Sequence, residues 1–303
     1  MEAANGAFGW RISRRVFLQS AAALAALPLK SAQKGGLRFG VVTDVHYADR
    51  PPSGTRYYRL GIGKLRAVVD LMNAQRVDFL IELGDFKDQD EQPSEARTIE
   101  YLRAIETVFQ SYGGARYHVL GNHDMDSISK MQFQAVVSNT GIARDRTYYS
   151  FDRGGFHFVV LDANFRRDGV AYEKGNYDYK DTNVSAEQVE WLRKDLAGAQ
   201  GPCVVFVHQR LDESEESPPV GNRAEVREIL EGSGKVGLVM QGHVHAGGYQ
   251  QIGRIHYYTQ VASVEGDKVG DATCTIVRLQ PGGGIEITGY ERAVSRNLVT
   301  AAR

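Results

Sequence analysis

"VGLVMQGHVHAGGYQ", residues 236–250, begins as an unbroken apolar run and ends in two histidines one residue apart, His243 and His245, just before Gly247 and Gly248. A short apolar run closed by glycine reads as a buried strand. The loop that follows such a strand can aim neighbouring side chains at a single point. The same shape recurs along the chain: "LRFGVVTDVHY" (37–47) ends in Asp44 and His46, and "VDFLIELGD" (77–85) in Asp85. "RYHVLGNHD" (116–124) ends in Asn122, His123 and Asp124, and "CVVFVHQR" (203–210) contains His208. Each strand thus carries carboxylate, carboxamide or imidazole at its carboxyl end. In open α/β sheets ligands bind beyond those ends, so residues far apart in sequence can converge there.

The segments between these strands have helical spacing. "YYRLGIGKLRAVVDLMNAQ" (57–75), "SEARTIEYLRAIETVFQSYG" (94–113), "NVSAEQVEWLRKDLAGA" (183–199) and residues 222–232 read as helices. The third opens with Ser185 and Gln188 in capping-box spacing. "TYYSFDRGGFHFVVLDAN" (147–164) reads as a hairpin turning at Gly154 and Gly155, and the region after residue 250 is rich in strand patterns. The alternation gives an α/β class. No repeat or linker breaks residues 33–303, which read as one domain. His118, His157 and His256 lie mid-strand or beside aromatic residues and read as packing or surface residues.

Composition narrows the function classes. The 303 residues are 42% hydrophobic and 24% charged, with a formal net charge of −1, which suits a globular protein and provides no concentrated basic face for nucleic acid. Cys203 and Cys274 lie in apolar, strand-like runs and read as buried thiols, and the sequence leaves open whether they pair. "RISRRVFLQSAAALAALPLKSAQ" (11–33) places Arg11, Arg14 and Arg15 before an apolar stretch, Val16–Leu29, and small residues at 31 and 32. That stretch is too short for a stable membrane span and has the order of a signal peptide. "SRRVFLQ" resembles a twin-arginine export signal. The expectation is a removable segment 1–32, the twin-arginine machinery as partner, and a periplasmic or extracellular bacterial location. Segment 1–32 holds Arg11, Arg14, Arg15 and Lys30 against Glu2, so residues 33–303 carry −4 by count.

The ordered set "DVH … GD … GNHD … H … GHVH" resembles the calcineurin-like metallophosphoesterases. The resemblance implies a four-layer α/β/β/α fold, a two-sheet β-sandwich flanked by helices with the site at one end. It further implies that Asp44, His46 and His245 hold one divalent metal, that Asn122, His208 and His243 hold a second, and that Asp85 bridges them. His123 would act on the substrate without ligating metal, and Asp124 would orient it. Nitrogen and oxygen donors without thiolate suit manganese, iron or zinc. The expected chemistry is in-line attack of metal-bound hydroxide on phosphorus, with His123 stabilising the transition state or protonating the leaving oxygen.

"YADRPPSGTRYYRLGIGKL", "HAGGYQ", "GGFHFVVLDAN", "SAEQVEWLRKDL" and "GIEITGYERAVSR" resemble one branch of that superfamily, the manganese-dependent ADP-ribose/CDP-alcohol diphosphatases. On that reading the substrates are phosphodiesters or diphosphates of nucleotide conjugates, and Arg56, Tyr57, Tyr58 and Arg59 border them. The plainer reading of "RYYR" is a helix start with solvated arginines and packed tyrosines. For the whole chain, a phosphomonoesterase of broad specificity and a metal-binding scaffold without catalysis also stay open. Two positions set the chain apart: His46 stands where the branch carries Gln, and Asp88 stands where purple acid phosphatases carry a metal-ligand tyrosine.

Overall fold

The computed structural model describes residues 36–213 and 217–300, and the expected export segment 1–32 lies outside the described residues. Among the described residues twelve strands form two six-stranded sheets. In the first, β1 (Leu37–Val42), β2 (Phe79–Glu82) and β3 (Ala115–His118) run parallel, and β10 (Cys274–Leu279), β11 (Gly284–Tyr290) and β12 (Arg296–Val299) extend it antiparallel from β1. In the second, β5 (Phe156–Val160), β6 (Cys203–Phe206), β7 (Val236–Gln241) and β9 (Ile255–Thr259) run parallel, with β4 (Tyr149–Arg153) and β8 (Gly248–Ile252) antiparallel at its edges. The central strands are buried along nearly their whole length, which is why they read as continuous apolar runs rather than alternating ones.

The sheets face each other across an aromatic centre. Phe39 stacks on Phe79 with ring centroids 4.8 Å apart and meets Phe158 and Phe206 edge-on. Truncating Phe39 to alanine would cost about 3–5 kcal/mol at such a site. The outer face of the first sheet is covered by α1 (Gly61–Gln75), α2 (Glu95–Phe109) and α3 (Lys130–Val136). The second sheet is covered by α4 (Ala186–Gly198) and α5 (Arg223–Gly232). Helix, sheet, sheet, helix is the expected four-layer order. Cys203 and Cys274 are both buried and lie in different sheets, so they do not bridge to one another. Among the described residues no helix is long and apolar enough to cross a membrane.

Three local departures from the sequence reading have physical causes. The strands stop short of the polar motif residues: β1 ends at Val42, β3 at His118 and β7 at Gln241. Beyond β1 and β7, as beyond β2, the backbone turns left-handed to aim side chains, at Asp44, His46, Asp85 and His243, whereas beyond β3 it turns right-handed into a 3-10 turn. α3 is absent from the sequence reading because it is only 7 residues long, yet it starts on a complete capping box, Ser129 with Gln132. In α4, Ser185 caps Gln188 N–H at 3.3 Å, but the Gln188 side chain goes elsewhere, exchanging hydrogen bonds with both backbone groups of Asp162 just past β5.

Candidate metal centre

The loops after β1, β2, β3, β6 and β7 all lie at one end of the sandwich, where the parallel strands of both sheets finish. Asp44, His46, Asp85 and His243 adopt positive φ of 50°, 46°, 56° and 68°. Such residues cost of order 1–3 kcal/mol each and persist only where surroundings hold them. Here the loops hold each other: Asp44 N–H donates to Gly84 O (3.0 Å), His46 N–H to Asp85 O (2.9 Å) and Gly242 N–H to His208 O (2.9 Å). His243 N–H donates to Asp44 Oδ2 (3.1 Å), and His123 N–H to Asp85 Oδ1 (2.8 Å). Gly84, at φ 101°, makes the approach feasible, since a Cβ there would lie 2.6 Å from Gly121 N and 2.7 Å from His208 Nδ1.

Two triplets of metal-type donors result. Asp44, His46 and His245 form one, and Asp85, His208 and His243 the other, each with its ligand atoms within 4.8 Å of one another. His46 Nε2 lies 3.7 Å from Asp44 Oδ1 and 3.2 Å from His245 Nε2. Asp85 Oδ2 faces both triplets, 3.5 Å from His46 Nε2 and 3.2 Å from His208 Nε2. Asn122 is buried at the same end of β3. Asp44 Oδ1 and Asn122 Oδ1 are buried without a hydrogen-bond partner. An unsatisfied buried polar atom costs about 1–3 kcal/mol, and two such oxygens at this one end of the sandwich fit cations that complete their coordination.

The electrostatics agree. Burial alone would raise the Asp44 and Asp85 carboxyls, but surrounding imidazoles hold both below the usual carboxylate range. Conversely, burial would lower His46, yet the Asp44 and Asp88 carboxylates push it up to about 10. His208 is driven up to about 9, burial being outweighed by Asp85. His243 is the exception, pulled down to about 4 by burial and by the neighbouring His208. The carboxylates therefore make a well that favours positive charge, which bound cations would supply.

A second layer of acceptors fixes the imidazoles. His208 Nδ1 meets Leu83 O at 2.8 Å, and His245 Nδ1 meets Glu265 Oε1 at 2.7 Å. Asp88 Oδ2 lies 3.2 Å from His46 Nδ1. Such partners set the tautomer that leaves the other nitrogen free for metal. His46, Asp88 and His123 also lie within ligand distance of each other. Because His46 turns Nε2 to the Asp44 side, its Nδ1 remains as the donor to Asp88, and this triplet reads as a hydrogen-bonded relay.

The expected role of Asp124 needs correction. Its carboxylate accepts from the backbone N–H groups of Gly121 (2.8 Å), Asp85 (3.0 Å), Phe86 (3.0 Å) and Lys87 (3.4 Å). It clamps the β2 and β3 loops together, and Asp88 faces the His123 imidazole instead, at 3.5 Å. His123 and Asp124 are consecutive in a 3-10 turn, where successive side chains diverge by about a third of a turn. Adjacency in sequence therefore separates them in space.

The "RYYR" residues divide. Arg56 and Tyr57 are tied to the Glu265 loop, Arg56 by a β-bridge with Glu265 and Tyr57 by N–H to Val264 O at 3.1 Å. Tyr58 is buried among Ala48, Tyr101, Ala262 and Val264, with Arg50 over its ring, and Arg59 pairs with Asp49 at the surface. The structure does not bring the last two to the metal-type donors. It brings instead Tyr179, 47% exposed, whose ring centroid lies 6.4 Å from that of His243. Asp88, Glu265 and Tyr179 were not recognised from sequence. Only Asp88 had a signal, as the acid three residues after Asp85.

Comparison with known proteins bears on the family and the fold. A family model described as calcineurin-like phosphoesterase matches residues 37–247. The chain is 25% identical over 270 residues to a protein named manganese-dependent ADP-ribose/CDP-alcohol diphosphatase from Oryza sativa subsp. japonica, covering 75% of this chain and 83% of that one. It is 29% identical over 158 residues to purple acid phosphatase 23 of Arabidopsis thaliana, covering 46% of this chain and 30% of that one. Among solved structures, a dimetal phosphatase from Danio rerio superposes with a TM-score of 0.76 at 19% identity, covering 88% of this chain and 100% of that one.

Proposed function

The chain belongs to the calcineurin-like phosphoesterase family, and from that premise we propose that this metal-dependent phosphoesterase cleaves phosphodiester or diphosphate bonds of nucleotide conjugates of the ADP-ribose/CDP-alcohol kind. The observation that carries the dinuclear reading is the position of Asp85 Oδ2, within 3.5 Å of His46 Nε2 and 3.2 Å of His208 Nε2. One carboxylate oxygen between two donor sets is what a bridging ligand requires. Asp44, His46 and His245 would hold one divalent ion, and Asn122, His208 and His243 the other, with manganese, iron and zinc all compatible with these donors. When bound, such a pair neutralises phosphoryl charge and makes water acidic enough to supply the nucleophile near neutral pH.

The protein's own residues do the remaining tasks. His123 is partly exposed beside the triplets and backed by Asp88, so it can donate a hydrogen bond or a proton to the phosphoryl or leaving oxygen. Asp88 holds its ring in place. Arg56 and Tyr57, whose backbones join the Glu265 loop, and Tyr179, beside His243, would border a nucleotide, guanidinium on phosphate and ring on base. The substrate class is supported by the similarity to the diphosphatase, which extends over 83% of that relative's length.

The test is turnover of residues 33–303 loaded separately with Mn²⁺, Fe²⁺ or Zn²⁺ on bis-p-nitrophenyl phosphate, p-nitrophenyl phosphate, ADP-ribose and CDP-choline. Preference for the last two is expected. Preference for p-nitrophenyl phosphate would replace the reading with a phosphomonoesterase, and silence on every substrate would point to a metal-binding scaffold. We also propose that residues 1–32 direct twin-arginine export, which the order of "SRRVFLQ" and the apolar stretch after it supports. Replacing Arg14 and Arg15 by lysine should keep the protein in the cytosol, and unchanged export would reject that route.

A further inference from the structure

Lys64, on α1, is fully buried, and among the described residues no carboxylate pairs with its ammonium. Its ammonium instead meets four successive carbonyl oxygens, those of Ser263 (3.0 Å), Val264 (3.3 Å), Glu265 (2.6 Å) and Gly266 (2.8 Å). An ammonium has only three protons to donate, so this loop surrounds Lys64 much as it would a bare cation. Lysine is almost never fully buried unless paired, and burial here pulls its pKa down to about 8. Fold stability alone is a poor reason to keep so costly a group.

The loop it gathers has one notable property. Ala262 N–H donates to His245 O (3.1 Å), Ser263 N–H to Thr43 O (3.0 Å) and Val264 N–H to Asp44 O (2.9 Å). The Glu265 carboxylate then meets His245 Nδ1 at 2.7 Å. Residues 262–265 therefore touch the backbone of two members of the Asp44–His46–His245 triplet and orient the imidazole of one. Arg292, at the surface, is a second tether, donating to Ala262 O (3.0 Å) and Glu265 O (2.9 Å).

We propose that Lys64 is a positioning residue for one metal of the pair: by gathering the carbonyls of residues 263–266 it holds Glu265 against His245 Nδ1 and so fixes His245 Nε2 toward that ion. The inference rests on the dinuclear reading above. A plain structural staple would contribute to folding and leave the two metal affinities alone.

The test is equilibrium dialysis of Mn²⁺ against the metal-free full-length protein, alongside thermal unfolding. Lys64→Ala should weaken one of two bound Mn²⁺ by about 10–100-fold, as loss of an outer-layer partner does, and leave the other unchanged. Glu265→Gln should weaken the same ion, and the double variant should be no worse than the more affected single one, because both act through one contact. Methylammonium, small enough for the space left among four carbonyls, should restore Mn²⁺ binding to Lys64→Ala and not to Glu265→Gln. Lys64→Ala that folds and binds both Mn²⁺ as the wild type does, or a strictly additive double variant, overturns the proposal. If Lys64→Ala does not fold, Arg292→Gln decides: it must weaken the same Mn²⁺, and unchanged binding overturns the proposal equally. Because the readout is binding, a protein that holds two Mn²⁺ yet cleaves nothing would sink the catalytic reading while leaving this one standing. A wild-type chain that binds fewer than two would remove both.

Discussion

Asp88 Oδ2 lies 3.5 Å from Nδ1 of His123, and the same oxygen lies 3.2 Å from Nδ1 of His46. One buried carboxylate thus serves a proposed metal ligand and the proposed catalytic imidazole, whose rings meet edge-on at 4.7 Å. A metal held by His46 would therefore be linked to His123 through that shared acceptor.

Substitutions at the two ends of this contact should therefore differ. His123→Ala should lower kcat by about 10²–10⁴-fold, the worth of a positioned acid–base group, while metal analysis still finds two ions per chain. Asp88→Asn should lower kcat and also loosen one ion by about 10–100-fold. Loss of metal from His123→Ala would show that His123 is a ligand after all.

Asp124 should behave as a structural clamp. Asp124→Ala orphans the buried amides of Gly121, Asp85 and Phe86, at about 1–3 kcal/mol each. For a chain of this size roughly 3 kcal/mol corresponds to a fall in Tm of about 6–12 °C. Thermal unfolding in chelator would show it. A variant with wild-type Tm but reduced kcat would return Asp124 to a role in orienting His123.

Stability should fall as pH rises from neutral. His118, packed against Phe86 and Phe109, lies 3.4 Å from Glu82 and 3.1 Å from Glu106 through its two ring nitrogens. Burial would lower its pKa, but the Glu106 and Glu82 contacts push it from 6.5 up to about 9. The folded state holds that proton more tightly than the unfolded chain, so the stabilisation is full below about pH 6.5, declines above it and is lost through about pH 9. Glu82, raised from 4.5 to about 8 by burial, acts in the same direction from lower pH. Tm of the metal-free protein should drop across pH 6.5–9, and His118→Gln should flatten that profile. An unaltered slope in the variant would assign it to other groups.

The two-sheet sandwich and the division of the donors between two ions came only through the family resemblance, but the α/β alternation and the candidate donors at strand ends were legible in the sequence itself for one reason. Strands buried on both faces, such as "CVVF" and "VGLVMQ", leave apolar runs, and the polar residues closing those runs fall at one end of two sheets. The positioning groups were not legible. Asp88 reaches His46 across 42 residues, and Lys64 reaches the 263–266 loop across about 200. No local periodicity marks such pairs, because only the folded chain brings them together. Asp124 misled for the opposite reason: it adjoins His123 in sequence, and the tight turn sends the two apart. Within "RYYR", packing claimed Tyr58, a competition among neighbours that spacing does not reveal.

The donors come from both halves of the sandwich, Asp44, Asp85 and Asn122 from loops of one sheet and His208 and His243 from loops of the other. A metal pair seated there is a rivet through two plates. It fastens one rim of the molecule, while the opposite rim, near Pro202 and Pro281, surrounds a cavity of about 390 Å³. Chelation should therefore loosen the protein unevenly, with amide exchange quickening first at the strand ends that carry the donors. The same ions that serve the chemistry would set how far the plates can part.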